Sequence, residues 1–181
     1  MSAALKPLTT DEFLAWERAQ PERYEFDGIQ PVAMTGASSA HARLGARLIV
    51  ALGNRLRPPC EVFTNELKVL TPGGRVRYPD ATVACGGIDA GSDILAPVVV
   101  FEITSPSSML TDRRVKAVEY AATPSILAYV MLDQERPEAR VLRRAEDWRE
   151  RVLDAPDSVI DLPEIGIELP LTALYAPRRA A

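Results

Sequence analysis

The chain has 181 residues, is 47% hydrophobic and 25% charged, and carries a formal net charge of −4. This is ordinary composition for a soluble globular protein with a sizeable core, and one domain over 1–181 is expected. The negative balance argues against a generic, charge-driven nucleic-acid binder, while a local basic cleft would still attract phosphates.

Residues 1–10 lack the apolar stretch of a secretory leader, and no apolar run approaches the length of a membrane span. Cys60 and Cys85 show no C-x-x-C spacing and sit in apolar runs, so they read as buried free thiols. A reducing cytoplasm fits these features. There is no internal repeat or low-complexity segment, and residues 177–181 read as a frayed tail.

Thr9 and Glu12 fit a capping box that opens a helix, with Phe13, Leu14 and Trp16 on its apolar side and Pro21 as its stop. Residues 24–29 read as a β-hairpin turning at Asp27-Gly28, with a return strand over 29–34. Glu25 lies just before that turn, where spacing alone makes it a solvent-facing carboxylate. Residues 36–40 lead into a long helix capped by Ser38 or Ser39. Its Leu44, Leu48, Ala51, Leu52 and Leu56 form one apolar stripe, and Pro58-Pro59 ends it. Arg43 and Arg47 sit one turn apart on another face, as solvated basic surface or as contacts to a phosphate backbone. His41, the only histidine, falls in the first turn. A lone histidine there is ordinarily structural, although its near-neutral pKa suits proton transfer or phosphate binding.

Residues 60–70 and 75–85 read as two strands joined by the Pro72-Gly73-Gly74 turn. Residues 95–104 form a third, whose run Pro97 to Phe101 suggests burial on both faces. Thr111 caps the next helix, with Asp112 at its positive end and Val115, Val118 and Ala122 on one apolar face. A strand over 126–132 follows, so the strand–helix–strand order predicts a crossover between two parallel strands. A hairpin over 139–153 turns at Glu146-Asp147. Residues 159–174 read as irregular packing with a short helical end, and Trp148 with this apolar stretch is expected to cover the core or form a dimer interface. The expected units are an N-terminal helix and hairpin (1–35), a core carrying the site (36–135), and a C-terminal hairpin and tail (136–175).

Asp80 opens one of these strands and Glu102 closes another, 22 residues later. An antiparallel pair would bring those ends together, and two hard oxygen ligands with a backbone carbonyl and waters suit octahedral Mg²⁺. Spacing alone is equally compatible with a sheet that carries carboxylates at its ends for solubility.

The run Tyr78-Pro79-Asp80, then Val100-Phe101-Glu102-Ile103-Thr104-Ser105-Pro106, then Asp112-Arg113-Arg114-Val115-Lys116-Ala117-Val118-Glu119-Tyr120 resembles the Uma-type restriction-endonuclease-like family, within the PD-(D/E)xK nuclease superfamily. Thr9 to Trp16, Tyr24-Glu25, Asp27-Gly28, Ala40-His41 and Ala128-Tyr129-Val130 with Asp133 extend the likeness over nearly the whole chain. The resemblance implies an α/β (α+β) fold, a central mixed β-sheet flanked by helices, and a Mg²⁺ or Mn²⁺ site for cutting DNA. Asp80 and Glu102 match the two carboxylates. The motif's lysine, two residues after the second carboxylate, is replaced here by Thr104. In the family that lysine looks relocated to the following helix, where Lys116 stands. Lys68 on a neighbouring strand is the alternative, and an ordinary i,i+4 pair of Lys116 with Asp112 is the structural reading. Glu25 and His41 also match positions near the site, with Glu25 in a hairpin one residue shorter than usual.

The function expected on this basis is a metal-dependent endonuclease that hydrolyses DNA phosphodiester bonds. Asp80, Glu102 and the Ile103 carbonyl hold the metal, Lys116 polarises water or phosphate, Glu25 binds a water or second metal, and His41 holds a phosphate or relays a proton. Arg43, Arg47, Arg75, Arg77, Arg113 and Arg114 line a groove for DNA, with salt-dependent binding. A homodimer is expected, because two-fold symmetry cuts both strands. No membrane partner and no organic cofactor are expected. The alternative is a catalytically silent nuclease-fold module acting in DNA binding or protein–protein interaction. No Gly-rich phosphate loop, G-x-S-x-G elbow or zinc-ligand cluster supports a small-molecule enzyme.

Overall fold

The computed structural model describes residues 7–34, 36–88, 91–105, 112–155 and 157–175. The expected cap Thr111, the Asp112 side chain and the tail 177–181 lie outside the described residues. Helix α1 (Thr10–Glu17) starts at the predicted box: the Glu12 N–H donates to the Thr9 hydroxyl, and the Thr9 N–H donates to the Glu12 carboxylate at 2.8 Å. Phe13 is fully buried and stacks on Phe26 with ring centroids 4.7 Å apart. That contact fastens α1 to a five-stranded sheet ordered β2–β1–β5–β4–β7, made of β1 (Tyr24–Phe26), β2 (Pro31–Ala33), β4 (Lys68–Thr71), β5 (Arg75–Arg77) and β7 (Ile94–Leu95).

The larger sheet has six strands in the order β11–β10–β9–β8–β6–β3. They are β3 (Cys60–Thr64), β6 (Ala81–Cys85), β8 (Val99–Thr104), β9 (Ala128–Asp133), β10 (Ala139–Arg143) and β11 (Arg151–Leu153). β8 runs parallel to β9 across the connecting helix, as predicted, and β6 runs antiparallel to β8, the arrangement under which Asp80 and Glu102 are expected to meet. All six residues of β8 are buried, as a central strand covered on both faces requires. One face packs on α2 (Ser39–Gly53), which Ser38 caps by accepting from the His41 N–H. The predicted stripe Leu44, Leu48, Ala51, Leu52 and Leu56 is buried there against Val99, Phe101 and Ile103. On the other face Val100 meets Tyr120, Tyr129 and Met131.

Several expected elements divide differently. The strands predicted over 60–70, 75–85 and 95–104 each break and change sheets, giving β3 and β4, β5 and β6, and β7 and β8. Pro79 and Pro97 fall at two of these breaks, where a residue without an N–H cannot continue a ladder. The first hairpin turns through four residues, not two: the Asp27 carboxylate accepts from the N–H groups of Ile29 and Gln30, both at 2.8 Å, and closes a local turn. Residues 159–174 are not irregular. They form the hairpin of β12 (Val159–Leu162) and β13 (Ile167–Pro170), then α4 (Leu171–Leu174). Ile160, Leu162, Leu169, Leu171 and Leu174 enter the main core, so this segment covers the core of its own chain. Trp148 packs at the edge of the second cluster.

Helix α3 (Ala117–Ala122) follows a π-helical turn, Asp112–Lys116. Its predicted apolar face points outward, with Val115 44% and Val118 68% exposed, while Lys116, Ala117, Glu119 and Tyr120 are buried. The buried face is mixed: Ala117 and Tyr120 join Val100, Tyr129 and Met131 in the second apolar cluster, while Lys116 and Glu119 meet charged groups of the sheet.

Cys60 and Cys85 are not free thiols. They stand directly opposite each other in the β3–β6 ladder and are joined as a disulfide. Cross-strand partners in an antiparallel pair bring Cβ atoms within bonding range of two sulfurs, a proximity that the 25-residue separation conceals. No helix among the described residues is long and apolar enough to cross a membrane.

Leu48→Ala, which empties a fully buried position facing β8, is expected to cost about 2–5 kcal/mol in urea unfolding. Thiol titration of the unfolded, unreduced protein should find no reactive sulfhydryl, and Cys60→Ser with Cys85→Ser should cost about 2–4 kcal/mol. Two titratable thiols in the purified protein would contradict the pairing.

Candidate active site

The ladder between β6 and β8 pairs Ala81 with Phe101, so one step further Asp80 stands beside Glu102. The main chain confirms their closeness: the Ile103 N–H donates to Asp80 Oδ2 at 2.7 Å. His41 reaches the same carboxylate from the first turn of α2, with Nε2 3.2 Å from Oδ2. Asp80 is thus held from the α2 side of the sheet end.

Glu102 is held from the opposite side. It is only 5% exposed, and its Oε1 accepts from Lys116 Nζ and from the Tyr120 hydroxyl, both at 2.9 Å. Lys116 and Tyr120 are one helical turn apart, so both project to the same side. Burial, and then the Glu102 charge, hold the Tyr120 phenol well above its ordinary pKa, which keeps it a donor.

Lys116 Nζ also lies 3.2 Å from Glu25 Oε1. Glu25 in turn accepts from Arg77 Nη1 at 3.0 Å. The rest of the Arg77 fork, Nε and Nη2, grips both oxygens of Glu119 at 2.7 Å each. Arg75 Nε adds a further contact to Glu119 at 3.3 Å. Burial works against the charged form of Arg77, but the Glu119 hydrogen bonds and the Glu25 charge outweigh it, and its pKa is raised.

The geometry therefore pairs Asp80 with His41 on one side and Glu102 with Lys116 and Glu25 on the other, and the two groups meet at the main chain, where the Ile103 N–H next to Glu102 donates to Asp80. It separates Lys68 from them: that ammonium pairs with Asp93 and with Glu17 at 3.2 Å, and lies 5.8 Å from the centre of the Tyr78 ring. Arg77 is not part of a nucleic-acid surface, because it is 4% exposed and its fork is filled by carboxylates. Arg113 is engaged bidentately by Glu150, at 3.0 and 2.7 Å, and Arg47 donates to the Leu174 carbonyl. Arg43 and Arg114 are exposed. Tyr120, Glu119 and the true role of Arg77 escape a reading of spacing. The i,i+4 relation of Lys116 to Tyr120 was the available signal, and the Val115–Val118–Ala122 stripe pointed to the wrong face.

The carboxylates of Asp80 and Glu102 are hard oxygen donors of the kind Mg²⁺ accepts. Among the described residues there is no cluster of three or more His, Cys, Asp and Glu side chains able to hold a metal. The donor set therefore fits an ion that keeps several waters or substrate oxygens and does not fit a closed structural site.

The sequence profile of the Uma2 family, described as "putative restriction endonuclease", matches residues 10–172. A protein of Synechocystis sp., described as uncharacterised, is 31% identical over 150 residues, which span 81% of this chain and 79% of that protein. A crystal structure from Anabaena variabilis, described as a "putative nuclease", superposes with a TM-score of 0.77 at 19% identity, covering 94% of this chain and 98% of that one. At that identity the superposition speaks for the fold, a restriction-endonuclease-like mixed sheet flanked by helices. The family match over most of the chain and the Synechocystis relative identify the chain as a member of the Uma2 family of nuclease-like proteins.

Proposed function

We propose that the protein is a Mg²⁺- or Mn²⁺-dependent endonuclease that hydrolyses phosphodiester bonds of DNA. The observation that carries this reading is the convergence of Asp80 and Glu102 at one sheet end, with the Lys116 ammonium 2.9 Å from Glu102. Membership of the Uma2 family is consistent with it.

Asp80 and Glu102 would hold the ion, together with the carbonyl of Ile103. In a strand the N–H and C=O of one residue point to the same side, so the Ile103 carbonyl leaves β8 on the side where its N–H meets Asp80, which supports its choice as a ligand. When bound, the ion supplies neutralisation of a phosphoryl oxygen and a lower pKa for a water. His41 orients Asp80 through the 3.2 Å contact. Lys116 offers a fixed positive charge where negative charge develops on the phosphate, which a partly buried ammonium does better than one in bulk water. In the reaction the water oxygen bonds to phosphorus and one phosphorus–ester-oxygen bond breaks. The products are one phosphate-terminated and one hydroxyl-terminated strand end. Exposed Arg43 and Arg114 are available to strand phosphates, and Arg113 is available by leaving Glu150. Two-fold pairing of such sites in a homodimer would cut both strands.

Plasmid and single-stranded DNA are to be incubated with the protein in Mg²⁺, Mn²⁺ or EDTA. Cleavage is expected only with metal and should vanish in Asp80→Ala, whose melting temperature stays unchanged or rises, as when strain at a functional site is released. Lys116→Met should lose on the order of 10²–10³-fold in rate, whereas Lys68→Met should lower stability by stranding Glu17 while folded protein keeps its activity. Wild-type rates in Asp80→Ala would refute the assignment. If wild type neither cuts nor gains stability from Mn²⁺, the chain is a silent nuclease-fold module.

A further inference from the structure

A lysine two residues beyond Glu102 would be placed by the β-ladder itself. That position is Thr104, which is buried and donates its hydroxyl to the Leu132 carbonyl at 3.3 Å. Lys116 instead comes from a helical turn reached through residues 105–111. Strand register therefore does not set its distance to Glu102, and side-chain ties must do so.

We propose that Arg77 is the positioning residue for Lys116, acting through Glu119 and Glu25, and that Glu25 anchors the lysine instead of binding metal. Arg77 sits on β5, three residues before Asp80, so it belongs to the sheet side of the site. Its planar fork holds Glu119 with two hydrogen bonds of 2.7 Å, and Glu119 is three residues beyond Lys116 on the same helical segment. Its remaining amino group holds Glu25 at 3.0 Å, and Glu25 holds Lys116 at 3.2 Å. One guanidinium thus holds this helical segment directly at Glu119 and, through Glu25, at Lys116 one turn away. Arg77 is 4% and Glu119 5% exposed, so water does not compete for the clamp.

Both oxygens of Glu25 are engaged by cations in this arrangement, a setting suited to holding an ammonium and unsuited to accepting a second divalent ion. A divalent ion on Glu102 would share that carboxylate's charge and loosen its hold on Lys116. Glu25 keeps a second anion beside the lysine under that condition. The catalytic consequence rests on the nuclease reading, while the placement of Lys116 does not.

The experiment has two readouts on the full chain. The first is steady-state cleavage with Mn²⁺, together with the Mn²⁺-induced rise in melting temperature. The second is acylation of individual lysines, followed by mass spectrometry. The chain's lysines are Lys6, Lys68 and Lys116, so buried Lys68 is an internal control. Glu25→Gln leaves the Arg77–Glu119 clamp intact and is the variant expected to fold. Arg77→Met is made together with Glu119→Gln, so that no buried carboxylate is left uncompensated. Both should lower kcat on the order of 10–100-fold, with KM within about twofold and the Mn²⁺ shift retained, as expected for a misplaced catalytic group. Lys116 acylation should rise at least about fivefold relative to Lys68 as its surroundings open.

Arg77→Lys keeps the charge and loses the fork, so it should recover little of the rate. Full recovery in that variant would show that charge alone suffices and would overturn the clamp. Loss of the Mn²⁺ shift in Glu25→Gln would make Glu25 a metal ligand and overturn its role as anchor. Unchanged Lys116 acylation in both variants would overturn the placement. If the wild type does not cut DNA, the nuclease reading fails alone, and the acylation ratio still decides the positioning.

Discussion

The arrangement of the site follows from one carboxylate that the sheet carries into its interior. Glu102 lies on β8, a strand buried along its whole length, and an ionised group there is costly unless it is paired and hydrogen-bonded. Lys116 and Tyr120 meet that need. Burying Lys116 creates a second need, which Glu25 meets, and Glu25 is in turn balanced by Arg77. Glu119 fills the remaining fork of Arg77, and Arg75 closes the series with its partly solvated side chain. The sequence of partners ends where water takes over. It alternates in sign throughout, so the three cations Arg75, Arg77 and Lys116 balance the three carboxylates Glu25, Glu102 and Glu119.

The two sheets provide the frame for this network. The five-stranded sheet contributes Glu25 on β1 and Arg75 and Arg77 on β5. The six-stranded sheet contributes Glu102 and, at the head of β6, Asp80. The chain passes between the sheets at Tyr78-Pro79-Asp80, and the site lies at that passage. A proline there ends one ladder, and it leaves Asp80 at the end of the next ladder, where its carboxylate turns to the Ile103 N–H and to His41. The His41 side of the site is built on α2 and the Lys116 side on the π-helical turn that leads into α3, so Asp80 and Glu102 are approached from opposite faces of one sheet.

Much of this frame is legible from short-range patterns. The capping box at Thr9, the apolar stripe of α2 and the parallel β8–β9 crossover all follow from local chemistry or period. The convergence of Asp80 and Glu102 follows once β6 and β8 are read as antiparallel. Three features are hidden for physical reasons. The strands that change sheets look continuous because each half carries a β-branched residue: Val62 and Val69, Val76 and Val83, Ile94 and Val99. The buried face of α3 carries Lys116 and Glu119 beside Ala117 and Tyr120, so the hydrophobic period selects Val115, Val118 and Ala122 on the wrong side. The Cys60–Cys85 bond and the Arg77–Glu119 clamp join residues 25 and 42 positions apart, and neither residue type nor spacing announces that they meet. Glu25 and His41 become legible only through resemblance, since each alone looks like an ordinary surface or cap residue.

The disulfide has a bearing on the site through strand register. Side chains alternate between the faces of a strand, so sliding β6 by one residue would turn every one of its side chains to the opposite face. Asp80 would then leave the Ile103 N–H and His41. β6 lies between β8 and the edge strand β3, and edge strands are where pairing most readily shifts. Cys85 closes β6 at the end remote from Asp80 and is bonded covalently to its exact ladder partner, Cys60, on β3. Any slip between those two strands would require the bond to break, so β3 and β6 can shift against β8 only as one welded pair, and moving Asp80 means moving both strands together.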